Sequence, residues 1–277
     1  MRIRYGFTIE IDVSQPMALL TAMDVEQARR GDIVRERPLK ISSVASVERY
    51  TDGFGNLCRR IQANPGTVSL SLEGVIQDSG EPDPVAPDAE LIDVAKLPVD
   101  TLPFLLASRY CETEFLNQTA WAQFGHIQGG WARVQAICDF VHEHLTFGYP
   151  NARPTRTAFE AFNERVGVCR DFTHLAVALC RCMNIPARYC NGYLGDIGIP
   201  ADPAPMDFNA WFEAYIGDRW YVFDARHNMP RIGRITVARG RDAMDIPMLH
   251  SFGPHVLRRF EVITEEVVEQ ACQLAAE

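Results

Sequence analysis

The stretch Gly167-Val168-Cys169-Arg170-Asp171-Phe172 opens a helix pattern in which Phe172, Leu175, Ala176, Leu179 and Cys180 line one face until Asn184-Ile185-Pro186 stops it. Gly167 gives the chain the freedom to turn into that helix. A cysteine in a first helical turn meets unpaired N–H groups and the positive end of the helix dipole, both of which favour the thiolate. Cysteines near helix starts also serve as packing residues, so both roles stand at this point. Downstream, Tyr189–Leu194, Ala210–Ile216 and Trp220–Asp224 read as strands, the last two joined across Gly217-Asp218 as a tight hairpin. Upstream, Val134, Ile137, Cys138, Val141 and Leu145 recur at three- and four-residue steps after Gly129-Gly130, the period of a helix. Helices followed by an antiparallel sheet make this half α+β.

Further out, Ile3, Tyr5, Phe7, Ile9, Ile11 and Val13 place an apolar residue at every odd position, which is a half-buried strand. Val68-Ser69-Leu70-Ser71-Leu72 alternates again, and Asp52-Gly53-Phe54-Gly55-Asn56 reads as a hairpin turn. The Pro- and acid-rich Gly80–Asp88 interrupts every period and reads as a linker. The expected organisation is a β-rich N-terminal domain over 1–80, a linker over 81–95 and a second domain over 96–277. Arg234–Arg239 and Arg259–Thr264 add short strands, and Glu265–Ala276 has the composition of a closing helix.

The 277 residues carry 27 Lys+Arg against 36 Asp+Glu, a net charge of −9, which argues against a general nucleic-acid binder. No apolar run approaches the roughly 20 residues of a membrane-spanning helix, so no membrane association is expected. Met1-Arg2-Ile3-Arg4-Tyr5 lacks the succession of a secretory signal, and a cytoplasmic protein with most of its eight cysteines reduced is the expectation. Cys180-Arg181-Cys182 with Cys190 has the wrong spacing for a metal centre, so neither metal nor cofactor is expected.

Three ordered segments then carry a resemblance. Gly167-Val168-Cys169-Arg170-Asp171, Asn209-Ala210-Trp211-Phe212-Glu213 and Trp220-Tyr221-Val222-Phe223-Asp224 are similar to the Gly-x-Cys-x-Asp, His-Ala-Trp-x-Glu and Trp-x-x-x-Asp motifs of the transglutaminase-like cysteine enzyme superfamily. The spacings fit, at 209 − 169 = 40 and 224 − 209 = 15 residues. Ile185-Pro186-Ala187-Arg188-Tyr189 with Gly192-Tyr193 looks like the strand after the nucleophile helix. The likeness covers about 155–228 at motif level, and the alternating N-terminus is similar to the β-rich domain that precedes such cores in bacterial members. It implies a papain-related α+β core in which Cys169 attacks a peptide or protein amide, forms a thioester and passes the acyl group to water or an amine, with Asp224 as orienter.

Where the family places its catalytic histidine this chain has Asn209, an amide that can hydrogen-bond Asp224 but cannot exchange a proton near neutral pH. His227, three residues past Asp224, is the candidate substitute if a turn folds it back. His174, five residues after Cys169, points some 140° around the helix at about 100° per residue and suits a core or surface role. His142, His144, His250 and His255 have no partner spacing that singles them out. Trp211 and Trp220 suit core packing or the lining of a substrate groove. Asp171 suits the helix N-terminus, and Glu213 suits an ion pair with an arginine such as Arg188. The basic run from Arg226 through Arg231 and Arg234 to Arg239 and Arg241 either holds an acidic substrate at the groove rim, Arg226 first among them, or pairs with the chain's own carboxylates. Two functions follow: a cysteine amide hydrolase or acyltransferase, or a degenerate groove that binds a peptide or partner protein. Assembly with further copies of the chain is compatible with either.

Overall fold

The fold is described from a computed structural model, which covers residues 1–268. The period-two alternation becomes β1 (Arg2–Val13), whose odd positions are buried from Ile3 to Val13. After it come β2 (Met17–Thr21), β3 (Ile33–Glu36), β4 (Lys40–Ile41), β5 (Val44–Thr51), β6 (Leu57–Ala63) and β7 (Gly66–Gln77). The hairpin between β5 and β6 is held by the Asp52 carboxylate, which accepts the Phe54 and Asn56 backbone N–H groups, both at 2.9 Å.

The second half begins with α1 (Thr113–Phe124) and α2 (Gly130–His144), then β8 (Thr146–Phe147), α3 (Ala158–Glu164), β9 (Val166–Gly167) and α4 (Cys169–Cys182). Next are β10 (Ala187–Tyr193), β11 (Asn209–Ile216), β12 (Arg219–Phe223), β13 (Ile235–Gly240), β14 (His250–Ser251) and β15 (His255–Glu266). Gly217 and Asp218 both have positive φ, 53° and 79°, the requirement of a two-residue turn that matches strand twist between β11 and β12. The strands β12-β11-β10-β13 form one antiparallel sheet in that order. Helix α4 lies against β10 and β11, and every residue from Asp171 to Cys182 is buried. This is the predicted α+β core.

Two features at the ends of α4 explain how so buried a helix closes its polar groups. At the N-terminus, the buried Asp171 carboxylate accepts the Val168 N–H at 3.0 Å and ion-pairs with Arg156 at 3.0 Å, the structural role expected of it. Gly167 is required there, because a Cβ on it would lie 2.6 Å from that of Asp171. At the C-terminus, the buried Arg181 guanidinium donates to the carbonyls of Ala187, Leu106 and Arg241 and to Ser108 Oγ. A charge without solvent is thereby spread over acceptors.

The last strand is longer than the Arg259–Thr264 expected from the sequence. It runs from His255 to Glu266 and pairs with β1 along its whole length, so that the sheet order is β15-β1-β7-β3 with β4 also on β7. The expected closing helix is corrected at its start, since Glu265 and Glu266 are strand; its residues 269–276 lie outside the described residues. The N-terminal sheet and the helix-backed sheet share one apolar cluster that joins Ile3, Tyr5 and Phe7 to Tyr193, Phe208, Val237 and Val262. A second cluster fills the space between α1, α2, α4 and the other face of the β10–β12 sheet. The linker stretch is irregular apart from a β-bridge between Pro82 and Ile232 and a 3-10 turn over Val94–Lys96, and Asp83 is anchored to Arg234 at 2.8 Å and to the Arg231 N–H at 2.9 Å.

Candidate active site

Helix α4 starts at Cys169 and carries the thiol, partly exposed, to the edge of β11. A groove of about 420 Å³ opens over it. The groove is bounded by Tyr189 and Asn191 of β10, by the run Asp207–Ala210 leading into β11, and by the apolar stretch Ile246–Leu249. The Ala210 backbone N–H points to the sulfur and favours the thiolate, as does the charge of Arg226. Burial and the neighbouring Asp207 carboxylate outweigh both and push the Cys169 thiol up to about 11. At neutral pH the group is a thiol.

Asn209 does not bond Asp224, contrary to the sequence expectation. Its Nδ2 donates to the carbonyls of Leu194 and Asp207, both at 3.2 Å, and its Oδ1 accepts from Arg226 Nη1 at 3.4 Å. Asp224, at the end of β12, is occupied elsewhere: Oδ2 accepts from His227 Nδ1 and Arg234 Nη2, each at 2.9 Å, and Oδ1 accepts the N–H groups of Arg226 and His227. Burial works to raise the Asp224 carboxyl, but the Arg234 charge and the His227 hydrogen bonds overcome it and hold the group far below the usual carboxylate range. The turn after Asp224 has thus folded His227 back onto Asp224. The ring faces a second cavity, of about 200 Å³, which Arg226, Tyr149, Asp207 and Asn209 also line. Asp207 and Asn209 line both cavities, while Cys169 lines the first and His227 the second. Among the described residues no hydrogen bond joins His227 to Cys169.

The three motifs thus lie on a helix start and two neighbouring strands of one antiparallel sheet, with Cys169 at the head of α4, Asn209 at the start of β11 and Asp224 just past β12, while His227, which belongs to none of them, is the imidazole paired with Asp224. Residues 126–225 match the family model of the transglutaminase-like superfamily. The chain carries a transglutaminase-like core. Over nearly its full length it is similar to the crystal structure of a candidate cysteine protease from Cytophaga hutchinsonii, with a TM-score of 0.82 and 29% identity across 98% of this chain and 92% of that one. It is 31% identical over 96 residues to an uncharacterized protein of Mycobacterium leprae (strain TN), a match spanning 34% of this chain and 34% of that protein. The matched part is thus about a third of that relative's length.

Within the transglutaminase-like core, the tryptophans stand away from the thiol. Trp211 is fully buried beneath the Arg234 guanidinium, 4.9 Å from its ring centre. Trp220 packs edge-on to Phe104 and carries Arg188 over its face at 4.1 Å. Neither lines the groove. Arg226 lies over the Phe147 ring at 3.7 Å and reaches the second cavity. The other arginines of the basic run pair mostly with the chain's own carboxylates: Arg234 with Asp83 and Asp224, Arg239 with Glu26 and Glu213, Arg241 with Asp245. Glu213 also pairs with Arg188, as expected. His174 is fully buried; its Nε2 accepts the Ala243 N–H at 3.1 Å. Sequence reasoning missed Asp207, Tyr189 and Asn191. The available signal was alternation for Tyr189 and Asn191, which share a face of β10; Asp207 precedes β11 and had no such signal.

Proposed function

We propose that this protein is a cysteine-dependent acyl hydrolase or acyltransferase acting on peptide or protein amides. The observation that carries the reading is the placement of Cys169 at the first residue of α4, open to a groove of about 420 Å³ with an apolar wall at Ile246–Leu249. The sulfur attacks the amide carbonyl carbon, the C–N bond breaks, the amine leaves with a proton, and the thioester is resolved by water or by a second amine. Because the resting group is a thiol, its proton has to be taken up as the attack proceeds. His227 is the base we assign: with Nδ1–H given to Asp224, its Nε2 is the acceptor, and it borders the cavity that Asp207 and Asn209 share with the groove.

The test is acyl-enzyme trapping with a glutamine-containing peptide, read by intact-protein mass spectrometry. Acylation located on Cys169, absent in Cys169→Ala and slowed about 10²- to 10⁴-fold in His227→Gln, is the expected result. A second reading is favoured by Asn209, whose amide is tied to backbone carbonyls where a base would be needed. In that reading the groove binds a peptide or partner protein without turnover. It predicts no acylation in any variant and peptide affinity unchanged by Cys169→Ala.

A further inference from the structure

Strand β10 runs directly beneath the thiol, and its residues alternate between two environments. Cys190 faces away, toward the Glu213, Arg239 and Arg188 charges. Tyr189 and Asn191 face the groove, two residues apart and therefore on one side of the strand. Asn191 lies directly across from Ala210, the residue whose N–H points to the Cys169 sulfur. Cross-strand partners have Cβ atoms about 5 Å apart, so Asn191 is placed beside the reacting atom.

Both side chains are polar groups that the protein leaves unused. Asn191 is 6% exposed, and its Oδ1 is sealed from solvent without a hydrogen-bond partner. Among the described residues its Nδ2 has none either, and the same holds for the hydroxyl of Tyr189, which is 4% exposed. Neither donor atom is among the sealed, unpartnered atoms, so Asn191 Nδ2 and the Tyr189 hydroxyl are open to the groove that both residues line, while the sealed Asn191 Oδ1 can only accept. Burial keeps the Tyr189 phenol far above its usual range, so it stays a donor at every physiological pH. Two donors on one strand face, flanking a nucleophile at a helix N-terminus whose own first N–H groups lack helical acceptors, form a receptacle for negative charge on oxygen.

From this geometry we infer that Tyr189 and Asn191 are catalytic residues that donate hydrogen bonds to the oxyanion formed when Cys169 adds to a substrate carbonyl. The inference rests on the reading of Cys169 as nucleophile and adds the groups that stabilise its product. In the addition, the S–C bond forms, the carbonyl π pair moves onto oxygen, and the thiol proton goes to the base. The two side chains meet the charge where it appears and need not ionise.

The test uses the full chain and an acetylated tripeptide aldehyde with leucine side chains, suited to the apolar wall of Ile246, Met248 and Leu249. Cys169 adds to the aldehyde carbon, and the thiol proton ends on the oxygen, giving a hemithioacetal that samples the same oxygen site without turnover. Dissociation constants are measured for wild type, Cys169→Ser, Tyr189→Phe and Asn191→Leu, each beside the matching peptide amide. The expected result is a covalent adduct in wild type, none in Cys169→Ser, and aldehyde affinity about 10- to 100-fold weaker in each of the other two variants. Amide binding changes no more than about twofold. Aldehyde affinity unchanged in Tyr189→Phe overturns the inference and leaves the nucleophile standing. Should Asn191→Leu not fold, Tyr189→Phe, which removes a single oxygen, still decides. No adduct in wild type overturns the nucleophile reading and the inference with it.

Discussion

At Cys169 the helix N-terminus and the Ala210 N–H pull toward the thiolate, while burial and Asp207 push away from it and win. The consequence is measurable. With the thiol near 11, about one molecule in ten thousand is thiolate at pH 7, and alkylation of Cys169 by iodoacetamide is expected to climb about tenfold per pH unit from 7 to 10. Peptide mapping follows each cysteine separately. A plateau reached below pH 9 would contradict the electrostatic account of the site. Asn209→His restores an imidazole at the position between the two cavities, and its expected effect is to raise the rate at pH 7 by at least about tenfold. An unchanged rate would show that position 209 does not communicate with the sulfur. The sequence motifs placed Cys169 and Asp224 on the right elements but misassigned the partner of Asn209. Which carbonyl an amide finds depends on the loop from Leu194 to Asp207, and that loop has no period to read.

At the level of the element, α4 carries a titratable group through the core. His174 Nε2 accepts the Ala243 N–H, its ring stacks on Tyr110 at 5.1 Å, and its Nδ1 has no partner. Burial first, then the Arg170 and Arg181 charges, hold the imidazole far below its ordinary value, so the folded protein keeps it neutral. In the unfolded chain it binds a proton below about pH 6.5. A folded value below the unfolded one means that the contribution is fully present above about 6.5 and is lost as pH falls, by about 1.4 kcal/mol per unit. Urea unfolding at pH 7.5, 6.5 and 5.5 is expected to show this slope in wild type and a shallower one in His174→Gln. Equal slopes would place the acid sensitivity elsewhere. The sequence showed α4, α2 and the sheet because each has an apolar period over enough residues. It hid α1, where the exposed Phe115 and Trp121 blur the buried stripe of Leu116, Ala120 and Phe124. The seven residues of α3 were too short for periodicity, although Thr157 and Glu160 form a capping box at its start. The groove was hidden for a different reason: it is assembled from β10, β11 and the Ile246–Leu249 stretch, whose meeting is a matter of register and long-range packing.

Across the whole molecule, the strand nearest the C-terminus of the described chain pairs with the first, and the two sheets share a core through aromatic contacts. Phe208 stands at their meeting point, its ring centre 6.0 Å from that of Phe7, 4.8 Å from Tyr193 and 6.3 Å from Phe260. It belongs at once to the N-terminal sheet's packing and to the run that borders Cys169. Truncating a buried ring of this kind costs about 3–5 kcal/mol. If the shared cluster makes the chain one cooperative unit, Phe208→Ala lowers the hydrogen-exchange protection of β1 and of α4 by the same amount, because both open only through global unfolding. If the sheets are energetically separate, β1 loses protection while α4 keeps it. We expect the first outcome, because Tyr5 and Tyr193, 5.3 Å apart, hold the same interface and belong with Phe208 to one apolar cluster shared by both sheets. The groove at Cys169 would then be as stable as the whole fold, and its rim at Asp207–Ala210 would respond to mutations in the N-terminal sheet.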